Sequence, residues 1–295
     1  MNLDNYLEKK GHSKELRNLI QVFIDQLKPI KTEFLGGDRK TGTYNIYGEE
    51  QIKLDKRANE IILAALRNSR MVKQAGSEEE EEVIQMDSKK GHFGVTIDPL
   101  DGSSLIPTNL AIGIIVSIYE NGDIMSGLKN ITQAFYILLG PLTLMVFADK
   151  SEVSQFVCNE KGVFDLVKEK IMIPEGNLYS PGGLRKEWIK SHCDLIRGFE
   201  ENGFKLRYSG SFVPDFHQVL VYGGIFIYPA LINEPKGKLR LLFEVGPMAF
   251  IAEKAGGAAI DGKNRILDII PTKVDQRAPL YIGSKELIEK IKIGN

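Results

Sequence analysis

The segment Asp98-Pro-Leu-Asp-Gly-Ser-Ser104, placed directly after the apolar, β-branched run that ends at Ile97, constrains this chain more than any other stretch. A strand that runs into a turn of this kind puts Asp98 and Asp101 at its C-terminal end, where side chains converge on a ligand rather than on a core. Pro99 stiffens the turn between them. Gly102-Ser103-Ser104 then offers consecutive backbone N–H groups at an expected helix start, an arrangement suited to an anion such as phosphate. A second acidic position, Glu78-Glu79, follows the strand-like Met71-Val72. Unit charges about 4 Å apart repel by roughly 4 kcal/mol at intermediate dielectric, so convergence of Glu78, Asp98 and Asp101 implies a bound cation. Oxygen-only donors favour Mg²⁺ or Mn²⁺ over Zn²⁺. The histidines His12, His92, His192 and His217 show no HxH or HxxxH spacing, and the remaining acids Glu80, Glu81 and Glu82 read as a solvated face.

Around this segment the pattern is mixed α/β. Leu16, Leu19, Ile20, Phe23 and Ile24 repeat at helical spacing behind a candidate N-cap, Ser13, and a second helix fits 51–66 with Asp55 near its start. Between them, residues 34–53 read as a polar, Gly-rich mobile loop. Strands are expected at 92–97, 111–119, 133–139 and 142–147, and again at 223–229 and 239–245 around a Pro/Gly/Lys turn, with a helix from Pro247 to Gly256. The organisation predicted is a lobe over 1–150 carrying the cation site and the mobile loop, followed by a lobe over 151–295.

Charge and cysteine content exclude several classes. With 38 basic and 39 acidic residues the net charge is -1, so no global field draws nucleic acid or an acidic membrane surface. Cys158 and Cys193 fit no CxxC spacing and suit a reducing compartment. The N-terminus lacks a signal-peptide layout, and the apolar run 135–148 is interrupted by Gly140-Pro141; a cytoplasmic location is expected. No GxxxxGK(S/T), helix-opening GxGxxG or GxSxG is present, which removes kinase, dehydrogenase and esterase readings.

Taken together, GSEE at 76–79, IDPLDGSS at 97–104 and KLRLLFEVGPMAFIAEKAGG at 238–257 resemble the class I fructose-1,6-bisphosphatase and sedoheptulose-1,7-bisphosphatase family, within the lithium-sensitive sugar phosphatase superfamily. The resemblance spans nearly the whole chain. It implies a layered α-β-α-β-α sandwich and Mg²⁺-dependent hydrolysis of the 1-phosphate of fructose-1,6-bisphosphate by metal-activated water, with two to three ions (Mg²⁺, or Mn²⁺). Carried over by motif, Glu78, Asp98, the Leu100 carbonyl, Asp101 and Glu244 become metal ligands, and Glu79 and Asp55 position or deprotonate the water. Glu49 matches the mobile-loop carboxylate that pairs with an arginine, here Arg240. Gly102, Ser103 and Ser104 hold the reacting phosphate; Ser180, Arg207, Tyr208, Tyr228 and Lys238 contact the sugar and the distal phosphate. Because that arginine reaches in from a neighbouring subunit, the resemblance implies a homodimer, or a homotetramer of two such pairs.

Departures bear on substrate and regulation. Ser180-Pro-Gly-Gly-Leu-Arg185 resembles the sedoheptulose-1,7-bisphosphatase pattern, with Thr108-Asn109 and Phe243-Glu244-Val245 leaning the same way, so a longer ketose bisphosphate is also expected to fit. His92 and Glu120 stand where the family's AMP pocket has cations, and AMP inhibition is not expected. An inositol monophosphatase and a non-catalytic sugar-phosphate sensor are the alternatives. The Trp-Asp-containing segment of the inositol enzymes is missing at Glu244-Val-Gly-Pro, and no carboxylate of the motif is lost, as it would be in a sensor.

Overall fold

The computed structural model describes residues 1–35, 49–86 and 91–291, with side chains given from residue 54 onward in the second stretch. Most of the 34–53 segment and the Glu49 side chain therefore lie outside the described residues. Helices are α1 (Leu3–Lys9), α2 (Lys14–Phe34), α3 (Glu49–Ser69), α4 (Lys190–Glu201), α5 (Phe212–Tyr222), α6 (Gly246–Lys254) and α7 (Lys285–Glu289). Ser13 caps α2, its hydroxyl accepting the Leu16 N–H at 3.2 Å. The strands form two main sheets. The larger, eight-stranded, has the order β2-β1-β3-β4-β5-β6-β7-β8, built from Ile84–Gln85, Val72–Ser77, Phe93–Asp101, Ile112–Tyr119, Gln133–Leu139, Thr143–Ala148, Val153–Cys158 and Phe164–Lys168. β1 and β3 run parallel and the strands from β3 to β8 form an antiparallel meander.

The smaller sheet has the order β10-β9-β11-β15-β13, built from Lys205–Leu206, Leu178–Pro181, Gly224–Tyr228, Leu280–Gly283 and Ala258–Ile260. A separate ribbon pairs β12 (Leu239–Arg240) with β14 (Arg277–Ala278).

Alternation along the strands explains the layering. On β5, Phe135 and Ile137 join the apolar faces of α1, α2 and α3, while Tyr136 and Leu138 point into a core shared with α5 and α6. The far side of α5 and α6 meets the smaller sheet through Phe226 and Ile282, and that sheet's outer face, Tyr179, Ile225 and Ile227, is covered by Ile196 and Phe199 of α4 and Ile288 of α7. The result is the α-β-α-β-α sandwich that the family resemblance implies. Strands buried on both faces read as unbroken apolar runs, which is why 111–119 and 133–139 were legible.

One expected strand is absent. Only Leu239–Arg240 of 239–245 is extended; Leu241–Val245 winds into a π-helical turn that leads into α6. All five residues of that turn are buried, so the run carries the apolar signature of a strand without its geometry. π-turns are rare and favour functional sites.

Candidate active site

In a regular strand, residues three apart face opposite sides of the sheet, so Asp98 and Asp101 could not share a pocket. The end of β3 solves this with a bulge. Asp98 lies opposite Ile115 and Asp101 opposite Gly113, so β3 advances three positions while β4 advances two. Pro99 suits the bulge because it has no N–H to give to a ladder, and the Leu100 N–H donates to Asp98 Oδ1 at 3.0 Å. The π-turn brings Glu244 to the same place. Carboxylate oxygens of Asp98, Asp101 and Glu244 lie within 4.8 Å of one another, and all three side chains are buried.

These groups open into a cavity of about 350 Å³ that is also lined by Asp55 from α3, by Glu78 and Glu79 from the turn after β1, and by Leu100, Gly102, Ser103 and Ser104. Gly102 is required twice over. Its φ is +80°, and a Cβ there would lie 2.3 Å from Ser211 Cβ. Ser103, at the start of a short 3-10 turn, donates its hydroxyl to Asp55 Oδ2 at 3.0 Å.

Burial dominates the electrostatics. It raises Asp98 and Glu244 well above ordinary carboxylate values, with the charge of neighbouring Glu78 adding to each. Glu78 is pushed up to about 7, chiefly by burial, although Arg240 opposes the shift. Asp55 rises to about 6 for the same first reason, and Glu79 rises too. Asp101 is also raised by burial, yet it is the best satisfied of the set. Ser211 Oγ donates to its Oδ2 at 2.6 Å, the Val213 N–H to Oδ2 at 2.6 Å, and the Phe212 N–H to Oδ1 at 3.0 Å. Those donors are the start of α5, whose dipole favours an anion. Buried carboxylates with only oxygen donors and mutually raised proton affinities fit a hard divalent cation, which removes the repulsion that burial otherwise imposes. Asp98, Asp101 and Glu244 are the groups that could hold it, with Glu78 lining the same cavity.

The same cavity is lined by Tyr208, Tyr228 and Lys238. Lys238 Nζ sits 6.0 Å from the centre of the Tyr228 ring, and burial pushes the Tyr208 phenol up to about 12, so it remains a hydrogen-bond donor at neutral pH. Ser180 and Arg207 are placed differently. Ser180 is buried and its hydroxyl donates to the Arg207 carbonyl, while the exposed Arg207 guanidinium donates to the Leu206 carbonyl at 2.9 Å. Neither lines the cavity. Arg240 reaches Glu78, Nε to Oε1 at 3.7 Å, and its backbone N–H donates to Glu244 Oε2 at 2.6 Å, closing the π-turn around the carboxylate.

Glu80 is not simply solvated, because Asn59 of α3 donates to it at 2.8 Å and thereby ties the Glu78-Glu79 turn to the helix that bears Asp55. Ser211 and Asp215 escaped the sequence reading. Asp215 is fully buried and both its oxygens accept the Ser209 N–H, at 2.9 and 3.0 Å, fixing the segment that carries Tyr208. A serine before a helix and an aspartate in its first turn were the available signal.

A layered sandwich of this topology with an acidic cavity at a strand terminus defines a sugar-phosphatase architecture. Residues 3–169 match the fructose-1-6-bisphosphatase N-terminal domain and residues 172–293 the C-terminal domain. The chain belongs to the fructose-1,6-bisphosphatase family. It is 49% identical over 289 residues to a class 1 fructose-1,6-bisphosphatase of Trichlorobacter lovleyi, spanning 97% of this chain and 92% of that protein. Against the class 1 fructose-1,6-bisphosphatase of Methanocorpusculum labreanum the identity is 44% over 290 residues, 98% of this chain and 90% of the relative. The crystal structure of Leishmania major fructose-1,6-bisphosphatase in holo form superposes with a TM-score of 0.88 at 31% identity, covering 98% of this chain and 97% of that one.

Proposed function

We propose that this chain hydrolyses the 1-phosphate of fructose-1,6-bisphosphate, and accepts sedoheptulose-1,7-bisphosphate, releasing inorganic phosphate and the sugar monophosphate. The observation that carries the reading is a single cavity lined both by the carboxylates Glu78, Asp98, Asp101 and Glu244 and by Tyr208, Tyr228 and Lys238. A divalent cation bound by the carboxylates, Mg²⁺ in our reading, supplies positive charge against the phosphate and lowers the pKa of water. The chain's own groups then divide the work. Gly102, Ser103 and Ser104 present their backbone to the reacting phosphate. Asp55, oriented by the Ser103 hydroxyl, and Glu79 position the attacking water and take up its proton; the water oxygen forms the new bond to phosphorus as the bond to the C1 oxygen breaks, and that oxygen leaves with the sugar monophosphate and takes a proton from solvent. Lys238 with Tyr208 and Tyr228 holds the second phosphate and the sugar, so that binding remote from the reacting bond fixes its position.

Arg207, exposed and outside the cavity of its own chain, suits a contact made across a subunit interface, and a homodimer or a tetramer of dimers is the assembly proposed. Among the described residues no helix is long and apolar enough to cross a membrane. The test is phosphate release from fructose-1,6-bisphosphate, sedoheptulose-1,7-bisphosphate and inositol-1-phosphate, each with Mg²⁺ and with EDTA. Mg²⁺-dependent turnover of the bisphosphates is the expected result; turnover of the inositol phosphate alone, or of none, overturns the reading.

A further inference from the structure

The turn Leu241–Val245 carries Glu244 into the cavity, and its register is π rather than α: the Gly246 N–H donates to the Leu241 carbonyl, five residues back. The next bond of that register would run from residue 247 to the Leu242 carbonyl. Residue 247 is proline and has no N–H to give. The Leu242 carbonyl takes a hydrogen bond from β3 instead, where the Thr96 hydroxyl donates to it at 2.9 Å. Thr96 Oγ1 also lies 2.6 Å from the Oγ of Ser117, directly opposite on β4, and both side chains are fully buried. A hydroxyl has one proton, and Thr96 gives its own to a carbonyl that can only accept, so Ser117 is the donor of the second bond. The bonds run one way, from Ser117 to Thr96 to the π-turn. Thr96 stands two residues before Asp98, on the same face of β3.

From this chain of bonds we propose that Thr96 is a positioning residue for the cation site: its hydroxyl replaces the N–H that Pro247 lacks, holds Leu241–Val245 in π register, and so keeps Glu244 turned toward Asp98 and Asp101. The proposal rests on the bisphosphatase reading, with its cation in that cavity, and deepens it. Packing seats the turn against β1, where a Cβ at Gly76 would come within 3.1 Å of Phe243 Cε1, and the Thr96 hydroxyl sets its register. One residue of register is a rotation of about 100° and a shift of about 1.5 Å along the helix axis, enough to swing Glu244 away from the other two carboxylates. The Arg240 N–H, 2.6 Å from Glu244 Oε2, fixes the carboxylate within the turn; Thr96 fixes the turn to the strand that bears Asp98 and Asp101. Groups that orient a metal ligand account for about 10- to 100-fold in affinity, and Thr96 acts one bond further from the ligand, which places it near the lower end.

The experiment titrates Mn²⁺ by calorimetry into wild type, Thr96→Val, Thr96→Ser, Pro247→Ala and the double variant Thr96→Val with Pro247→Ala, and measures KM for fructose-1,6-bisphosphate at saturating Mg²⁺. Valine keeps the shape and removes the hydroxyl. Thr96→Val should weaken Mn²⁺ binding by about tenfold with KM within about twofold of wild type, and Thr96→Ser, which keeps the hydroxyl, should bind Mn²⁺ within about threefold of wild type. Pro247→Ala restores an N–H where the π register needs one, so in that background Thr96→Val should cost less than about threefold. Should Thr96→Val alone fail to fold, recovery of the fold and of Mn²⁺ binding in the double variant supports the same contact, and failure of both overturns it. Equal Mn²⁺ affinity in wild type and Thr96→Val, equal losses in the valine and serine variants, or an unchanged loss in the Pro247→Ala background overturns the inference and leaves the bisphosphatase reading standing. Absence of both Mn²⁺ binding and bisphosphate turnover in the wild type overturns that reading itself.

Discussion

Replacing Ser211 by alanine removes one hydroxyl and keeps the Cβ that packs over Gly102. The hydroxyl lies 2.6 Å from Asp101 Oδ2, and Ser211 is 1% exposed, so no bulk solvent replaces the lost donor. A hydrogen bond to a charged acceptor contributes about 1.5–3 kcal/mol, and 1.4 kcal/mol is a factor of ten. Two backbone N–H groups still hold Asp101, so the carboxylate stays in place but is freer to rotate and binds protons more tightly. Groups that orient a metal ligand typically account for 10- to 100-fold in affinity, the same range as the hydrogen-bond estimate. Ser211→Ala should therefore weaken Mn²⁺ binding by about 10- to 100-fold, measured by titration calorimetry or by the paramagnetic signal of free Mn²⁺, and raise the Mg²⁺ activation constant in parallel. Activity should return at saturating metal. Mn²⁺ affinity within twofold of wild type would refute the assignment of Ser211 as the group that orients Asp101.

Asp101→Ala should abolish phosphate release at any Mg²⁺ concentration while leaving a folded chain, checked by circular dichroism beside the assay. Asp215→Ala should raise KM for the bisphosphate by about tenfold through loss of the segment that carries Tyr208, with Asp215→Asn, which keeps an acceptor for the Ser209 N–H, recovering most of it; identical KM values for the two variants would count against that anchoring role. His192, fully buried with both ring nitrogens unpartnered among the described residues, has its pKa lowered to about 4 by burial, against 6.5 for the free group. Its neutral form is the one that folds, so its contribution is complete above pH 6.5 and is lost as pH falls toward 4, about 3 kcal/mol in all, and denaturation of His192→Phe should lack that loss. Burial pushes Asp149 up, but hydrogen bonds from His12, Ser151 and the Ser151 and Glu152 N–H groups overcome it and hold the carboxyl well below its ordinary 3.8. Stability from that cluster is present above pH 3.8 and lost as pH falls through the native value; Asp149→Asn should flatten the acid limb of the curve.

The layers were legible because both faces of β4 and β5 are apolar, and Ser13 announced α2 by the chemistry of its cap. Asp98, Asp101 and Glu244 were legible as residue types in sequence order. How they meet was not. A bulge depends on pairing with β4, which no local pattern in Asp98-Pro-Leu-Asp101 displays, and the π-turn at 241–245 presents the same uninterrupted apolar residues as a buried strand. Ser211 and Asp215 belong to a helix start that is contiguous in space with Asp101 but more than a hundred residues away along the chain, and their roles follow from tertiary contact alone.

The division of the site between distant segments also predicts how the chain behaves when cut. A break between residues 169 and 172, where the two matched domains adjoin, would separate Glu78, Asp98 and Asp101 from Ser211, Lys238 and Glu244. It would also divide the middle core, which takes Tyr136 and Val146 from one piece and Phe216, Met248 and Ile282 from the other. Each fragment would carry an unfinished catalytic centre behind a sticky, half-covered face. Catalysis regained on mixing the two would make this chain a reporter for whatever proximity brings its halves together.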